Sequence, residues 1–153
     1  MALGPMVAQS AVSINRGRQL RAELLGGIQR LEHAIEASVG APSWRPGMIR
    51  AVAQLRAAFT EHVNVTEGPS GLYAGLLEHA PRLARGLSGL VEEHASVLSA
   101  LNVLGDSLDE PSDRDLEEVR QQAAMVLREV RQHRQHGADL VYEAYATDIG
   151  GET

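Results

Sequence analysis

The chain has 153 residues and a formal charge of −6, with 14 arginines, no lysine and no cysteine. That length suits one domain with its own core, and the acidic balance argues against nucleic acid as a partner. The missing thiols and lysine exclude disulfides, thiolate metal sites, a Schiff-base lysine and a phosphate-loop lysine. Apolar residues make up 44% of the chain but aromatics only 3%, so the core must be aliphatic. Ala, Leu, Val, Arg and Glu dominate, which favours helix over strand.

The first predicted helix runs from about Asn15 to Ser38, with Leu20, Leu24, Ile28, Leu31 and Ile35 on one face. Gly40, Pro42 and Pro46 then break the chain. A second helix carries Met48, Val52, Leu55 and Phe59 and reaches about Thr66, with Ser43 as a cap-like start ahead of Pro46. Gly68-Pro69-Ser70-Gly71 interrupts it, and a short helical piece follows from Leu72 to His79. Pro81 can open the third helix, since proline is tolerated in a first turn; that helix runs to about Leu104 or Leu108. Asp109 to Ser112 reads as a loop, with Ser112 as N-cap of a fourth helix from about Asp113 to Ala146. The tail, Asp148 to Thr153, reads as frayed or docked irregular chain.

Four long amphipathic helices with short links predict an all-α, antiparallel up-down four-helix bundle. The bundle forms a single domain over residues 1–153, with its core at about 15–146. No stretch approaches the ~18–20 apolar residues needed to span a membrane. The first residues lack the basic and apolar regions of a secretion signal. A cytoplasmic protein that engages neither membrane nor nucleic acid is the expectation.

Chemistry enters with the histidines. Leu83, Leu87, Leu90, His94, Val97, Leu101 and Leu104 form a run with alternating steps of four and three, the seam of a helix facing a partner helix. A polar ring at the middle of that seam costs free energy unless it finds a hydrogen bond or a metal. Thr66, Glu93 and Glu67 are candidate hydrogen-bond partners if His94 is simply a satisfied core histidine. His62 lies roughly 50° from the centre of its helix's apolar face and can point inward. His133 flanks the face made by Val119, Ala123, Val126, Val130 and Val141. His33 and His136 point away from their apolar faces, and His79 sits at a turn beside Pro81. A histidine from each of three helices would make a three-nitrogen site for iron or zinc. Counting about 1.5 Å of rise per residue puts His62 and His94 within roughly one turn of each other and His133 about two turns away.

The segments EHVNVTEGPSGLYAGLLEHAPRL, LVEEHASVLSALNVL and LREVRQHRQHGADLVYEAY resemble the hemerythrin-like (HHE) cation-binding family over about residues 17 to 146. His62, the Glu93-His94 pair and His133 match the family's inward histidines. The resemblance implies a four-helix bundle around a non-haem di-iron centre that binds oxygen or acts in iron, peroxide or nitric-oxide chemistry. The chain departs from the pattern at the carboxylates. Thr66, Leu98 and Gly137 stand four residues beyond His62, His94 and His133, and His33 points outward. Two adjacent cations without bridging anions repel strongly, so the expectation is no conventional di-iron centre and at most about one metal per chain. His62 and His94 are the first candidate ligands, with Glu67 and His133 next; Glu67 could turn inward if the helix unwinds at Gly68. The expected function is an atypical iron-binding hemerythrin-like bundle, with oxygen as a possible small ligand. The alternatives are a metal-free bundle acting as an interaction or assembly module, and an iron-dependent oxidoreductase acting on peroxide or oxygen.

Overall fold

The computed structural model describes residues 5–109 and 115–151, and side chains within 15–109 and 115–146. Helix α1 spans Pro5–Glu36, α2 Trp44–Glu67, α3 Leu72–His79, α4 Ala84–Asp109 and α5 Leu116–Gly151. A 3-10 turn, Pro81–Leu83, leads into α4. The described residues contain no strand. No helix among them is long and apolar enough to cross a membrane.

The breaks have local causes. The chain leaves α1 at Glu36, ahead of Gly40 and Pro42. Ser43 stands at the N-cap of α2, but its side chain makes no capping bond. The start is held by backbone bonds instead, from Trp44 N–H to Ala41 O and from Gly47 N–H to Ser43 O, both 3.0 Å. Gly71 closes the bend between α2 and α3. A Cβ there would strike the carbonyl oxygen of Val65 and lie 2.8 Å from that of Thr66, so a side chain cannot fit. At α5, Glu117 N–H donates to Asp115 Oδ1 at 3.0 Å, which makes Asp115 the capping residue observed. The expected cap Ser112 lies outside the described residues.

Two expected boundaries need correction. The first helix begins at Pro5, well before Asn15, and α5 continues through Gly151 where irregular chain was expected. In both places weakly amphipathic sequence extends a helix already nucleated, and propagation is far easier than nucleation.

The four long helices close on one another, α1 against α2, α2 against α4, α4 against α5, and α5 back against α1. Short α3 packs across α2, α4 and α5. Inside lies an aliphatic cluster in which Leu31, Met48, Leu55, Leu101, Leu104 and Val130 are fully buried. Each such leucine contributes about 1.5–3 kcal/mol through burial. A second cluster forms beneath α3, around Tyr73, Leu76, Leu83, Leu87 and Leu90. Phe59 belongs to the first cluster and Tyr73 to the second, and the inward histidines fill the space between those two rings.

Candidate metal centre

His62 follows Phe59 by three residues on α2, so both rings project to one side. His94 occupies the middle of the apolar seam of α4 and is 1% exposed. His133 comes from α5 and is 2% exposed. The three rings meet, with centroids 5.0 Å apart for His62 and His94, 5.4 Å for His62 and His133, and 4.6 Å for His94 and His133. Phe59 floors the group, 5.5–5.7 Å from each ring. One ring nitrogen from each histidine lies within 4.8 Å of the other two.

Carboxylates stand behind two of the rings. His94 Nδ1–H donates to Glu67 Oε2 at 2.5 Å, and His133 Nδ1–H donates to Glu93 Oε1 at 2.8 Å. Glu93 accepts a further bond from exposed His136 Nδ1 at 2.5 Å. A ring that donates through Nδ1 carries its lone pair on Nε2. Both Nε2 lone pairs are thereby free to accept. His62 Nε2–H donates to His133 Nε2 at 3.2 Å, and the Tyr73 hydroxyl donates to His94 Nε2 at 3.1 Å. Tyr73 also stacks on His94, with rings 5.5 Å apart and 14° from parallel. Thr66, also buried, turns its hydroxyl back to the His62 carbonyl at 2.7 Å.

The electrostatics favour the neutral form of His62 and His133. Burial, then the proximity of His94, His133 and Arg134, pushes His62 down to about 4. Burial also holds His133 below the usual histidine value, against the opposing pull of Glu93. Burial raises Tyr73 to about 12, so its hydroxyl stays protonated and can donate. For Glu93 burial acts upward, but hydrogen bonds from His133 and His136 outweigh it and the carboxyl titrates below its ordinary range.

An imidazole that turns its Nε2 lone pair inward, as His94 and His133 do, can ligate a metal, and His62 can join them once its proton moves from Nε2 to Nδ1. Two nitrogens each about 2.0–2.1 Å from a tetrahedral metal would sit about 3.3 Å apart. The 3.2 Å between His62 Nε2 and His133 Nε2 matches that span. Backing of ligand histidines by carboxylates fixes their orientation and raises their basicity. One pair is thus already at ligand spacing, and the third nitrogen lies within 4.8 Å of both, near enough for the three residues to hold a single cation after a small approach.

The structure brings together His62, His94 and His133 and leaves Glu67 one bond outside them, occupied with His94 Nδ1. The expected two-turn offset of His133 is corrected. α4 continues to Asp109 and α5 begins only at Leu116, so His94 lies fifteen residues before the link and His133 seventeen residues after it. Their heights thus agree to within a turn. Glu93, expected as a candidate partner of His94, reaches His133 and His136 instead. Tyr73 was missed as a site residue; its place two residues after Gly71, just beyond the break, was the available signal. His33, His79 and His136 are exposed, and Leu98 is half-buried against the aliphatic cluster.

A cleft of about 540 Å³ leads to His62 and His133 from between α1, α2, α3 and α5. Comparison of the chain with protein-family models, with curated proteins and with solved structures gives no match. Function must therefore be read from the chemistry of the site.

Proposed function

We propose that the protein is a hemerythrin-like, antiparallel up-down four-helix bundle that binds one non-haem metal ion, iron by preference, through His62, His94 and His133. One observation carries this reading: three imidazole nitrogens from three helices lie within 4.8 Å of one another. Glu67 and Glu93 orient two of those rings without entering the group. When bound, the metal supplies Lewis-acid or redox chemistry and open positions for a small ligand such as oxygen. The chain's own residues present ring nitrogens, pack Phe59 against all three rings and Tyr73 on His94, and direct two Nδ1–H groups to carboxylates. The test is anaerobic loading with ferrous iron, removal of excess, and a count of metal per chain. One iron per chain, lost in His133→Ala, is the expected result. Two irons with an oxo-bridge spectrum would refute the mononuclear site.

A second reading has its own observation. Tyr73 satisfies His94 Nε2, and His62 satisfies His133 Nε2, so these nitrogens are paired without metal. A metal-free bundle serving as an interaction or assembly module follows from that. Metal-free protein after loading with ferrous iron, zinc and manganese in turn would favour it.

A further inference from the structure

Thr66 and Gly137 each stand four residues beyond a site histidine, on the same helix face as His62 and His133. Both line the cleft, and neither offers a charge. A Cβ added at Gly137 would meet no atom within 4 Å, so that wall is open space. Beside the histidines, the charged residues of the lining are Arg21 and Arg134, with no carboxylate among them. Neither arginine makes an ion pair with another described residue. The remaining walls are apolar, chiefly Leu24, Leu72, Leu76 and Val141. The volume, about 540 Å³, is that of a small-molecule site.

Three imidazoles bring no negative charge into contact with a divalent cation, and Glu67 and Glu93 offset its charge only from behind the His94 and His133 rings. An anion entering this cleft meets two arginines and that cation, and meets no competing acid. An apolar tail behind the anion finds a surface that gains by leaving water. We propose that the cleft binds an apolar-tailed monocarboxylate, its head facing His62 and His133 beside Thr66 and Gly137 and its tail along Leu24, Leu72, Leu76 and Val141. This deepens the metal-site reading, since the carboxylate supplies from outside the negative charge that Thr66 and Gly137 do not.

The experiment is calorimetric titration of octanoate, acetate and octanol into the full chain, with metal content counted beforehand by elemental analysis. The expected result is one octanoate per chain, bound at least about tenfold more tightly than acetate or octanol, which separates head from tail. Gly137→Leu should weaken octanoate at least about tenfold by filling the open wall, while favouring helix and leaving metal content unchanged. Arg134→Gln should weaken octanoate several-fold and leave octanol unaffected. A protein that holds one metal but binds octanoate no better than acetate and octanol overturns the proposal and spares the metal site. Octanoate binding that ignores Gly137→Leu overturns it too. If no metal is taken up yet octanoate binds with this rank order and is lost in Gly137→Leu, the carboxylate site stands and the metal reading fails. Neither metal nor octanoate bound would overturn both.

Discussion

Leu101 and His94 lie seven residues apart on one face of α4, and both are buried, at 0% and 1% exposure. Their surroundings differ in kind. Leu101 belongs to a largely aliphatic cluster drawn from all four long helices, where an apolar side chain needs no directed partner. Around His94 every polar atom is matched, Nδ1 to Glu67 and Nε2 to Tyr73. One heptad seam thus serves two regions. The aliphatic one is held by area and close packing, and the histidine one by directed bonds that are costly to leave half-made. Stability should therefore reside mainly in the first and specificity in the second.

The most severe way to probe this contrast is to truncate each region in turn. Leu101→Ala should cost about 2–5 kcal/mol in urea unfolding, with or without metal, because a cavity opens among rigid neighbours. His94→Leu should cost clearly less in the metal-free protein. The new side chain is apolar and of similar size, and the Tyr73 hydroxyl it abandons is close to Thr66. The same substitution should abolish metal uptake. Equal unfolding costs would mean that the histidine layer is simply more core.

A gentler change acts on the carboxylates. Glu93→Gln keeps the shape of the side chain but weakens its hold on His133 Nδ1–H. Metal affinity should fall about 10–100-fold, as measured by competition with a chromophoric chelator. Glu67→Gln should act similarly through His94. An unchanged affinity in both variants would remove these carboxylates from any orienting role.

Much of the architecture was legible in the sequence, because helical periodicity is local. The stripes of α1, α2 and α4, the break at Gly68 to Gly71, and the extent of α3 are all visible from spacing and turn residues. So is the contrast between buried His94 and exposed His33. The meeting of His133 with His62 was not legible. Height along a bundle accumulates every error in a helix boundary, and a few residues at the link between α4 and α5 shift it by a turn or more. The partners of Glu93 were hidden for a related reason. Helical phase places Glu93 at the edge of its apolar face, but only the approach of α5 decides that His133 and His136 stand opposite it. Tyr73 depends on a non-helical bend whose direction no periodicity encodes.

Acid should also separate the two regions, by a smaller amount. His62 titrates at about 4 in the folded chain and near 6.5 when unfolded. Between those values the unfolded chain binds more protons, so stability is fully present above about pH 6.5 and is lost as pH falls toward 4. His133, also depressed, acts in the same direction. The loss should be at most about 1.4 kcal/mol per pH unit for each proton involved. Urea titrations of the metal-free protein at about pH 7, 6 and 5 would measure it. His62→Leu should flatten the profile, whereas Leu101→Ala should lower it without changing its slope. A slope indifferent to His62→Leu would assign the acid sensitivity elsewhere.

The smallest effect is expected at the surface of α5. Arg131 pairs with Glu32 of α1 at 2.7 Å, two residues from the point where His133 meets Glu93 at 2.8 Å. On distance alone the contacts look equivalent. Burial separates them: Arg131 and Glu32 are 48% and 43% exposed, while His133 is 2% exposed. Water and salt screen the outer pair, and ordering two long side chains offsets much of the attraction. Arg131→Gln should therefore change unfolding free energy by no more than about 1 kcal/mol, less still at high salt, and should leave metal binding untouched. The inner contact should respond oppositely, with Glu93→Gln reducing metal affinity at low and high salt alike. If Arg131→Gln weakened metal binding as much as Glu93→Gln, the α1–α5 contact would be positioning His133. The division between a structural surface and a chemically specific interior would then fail along this helix.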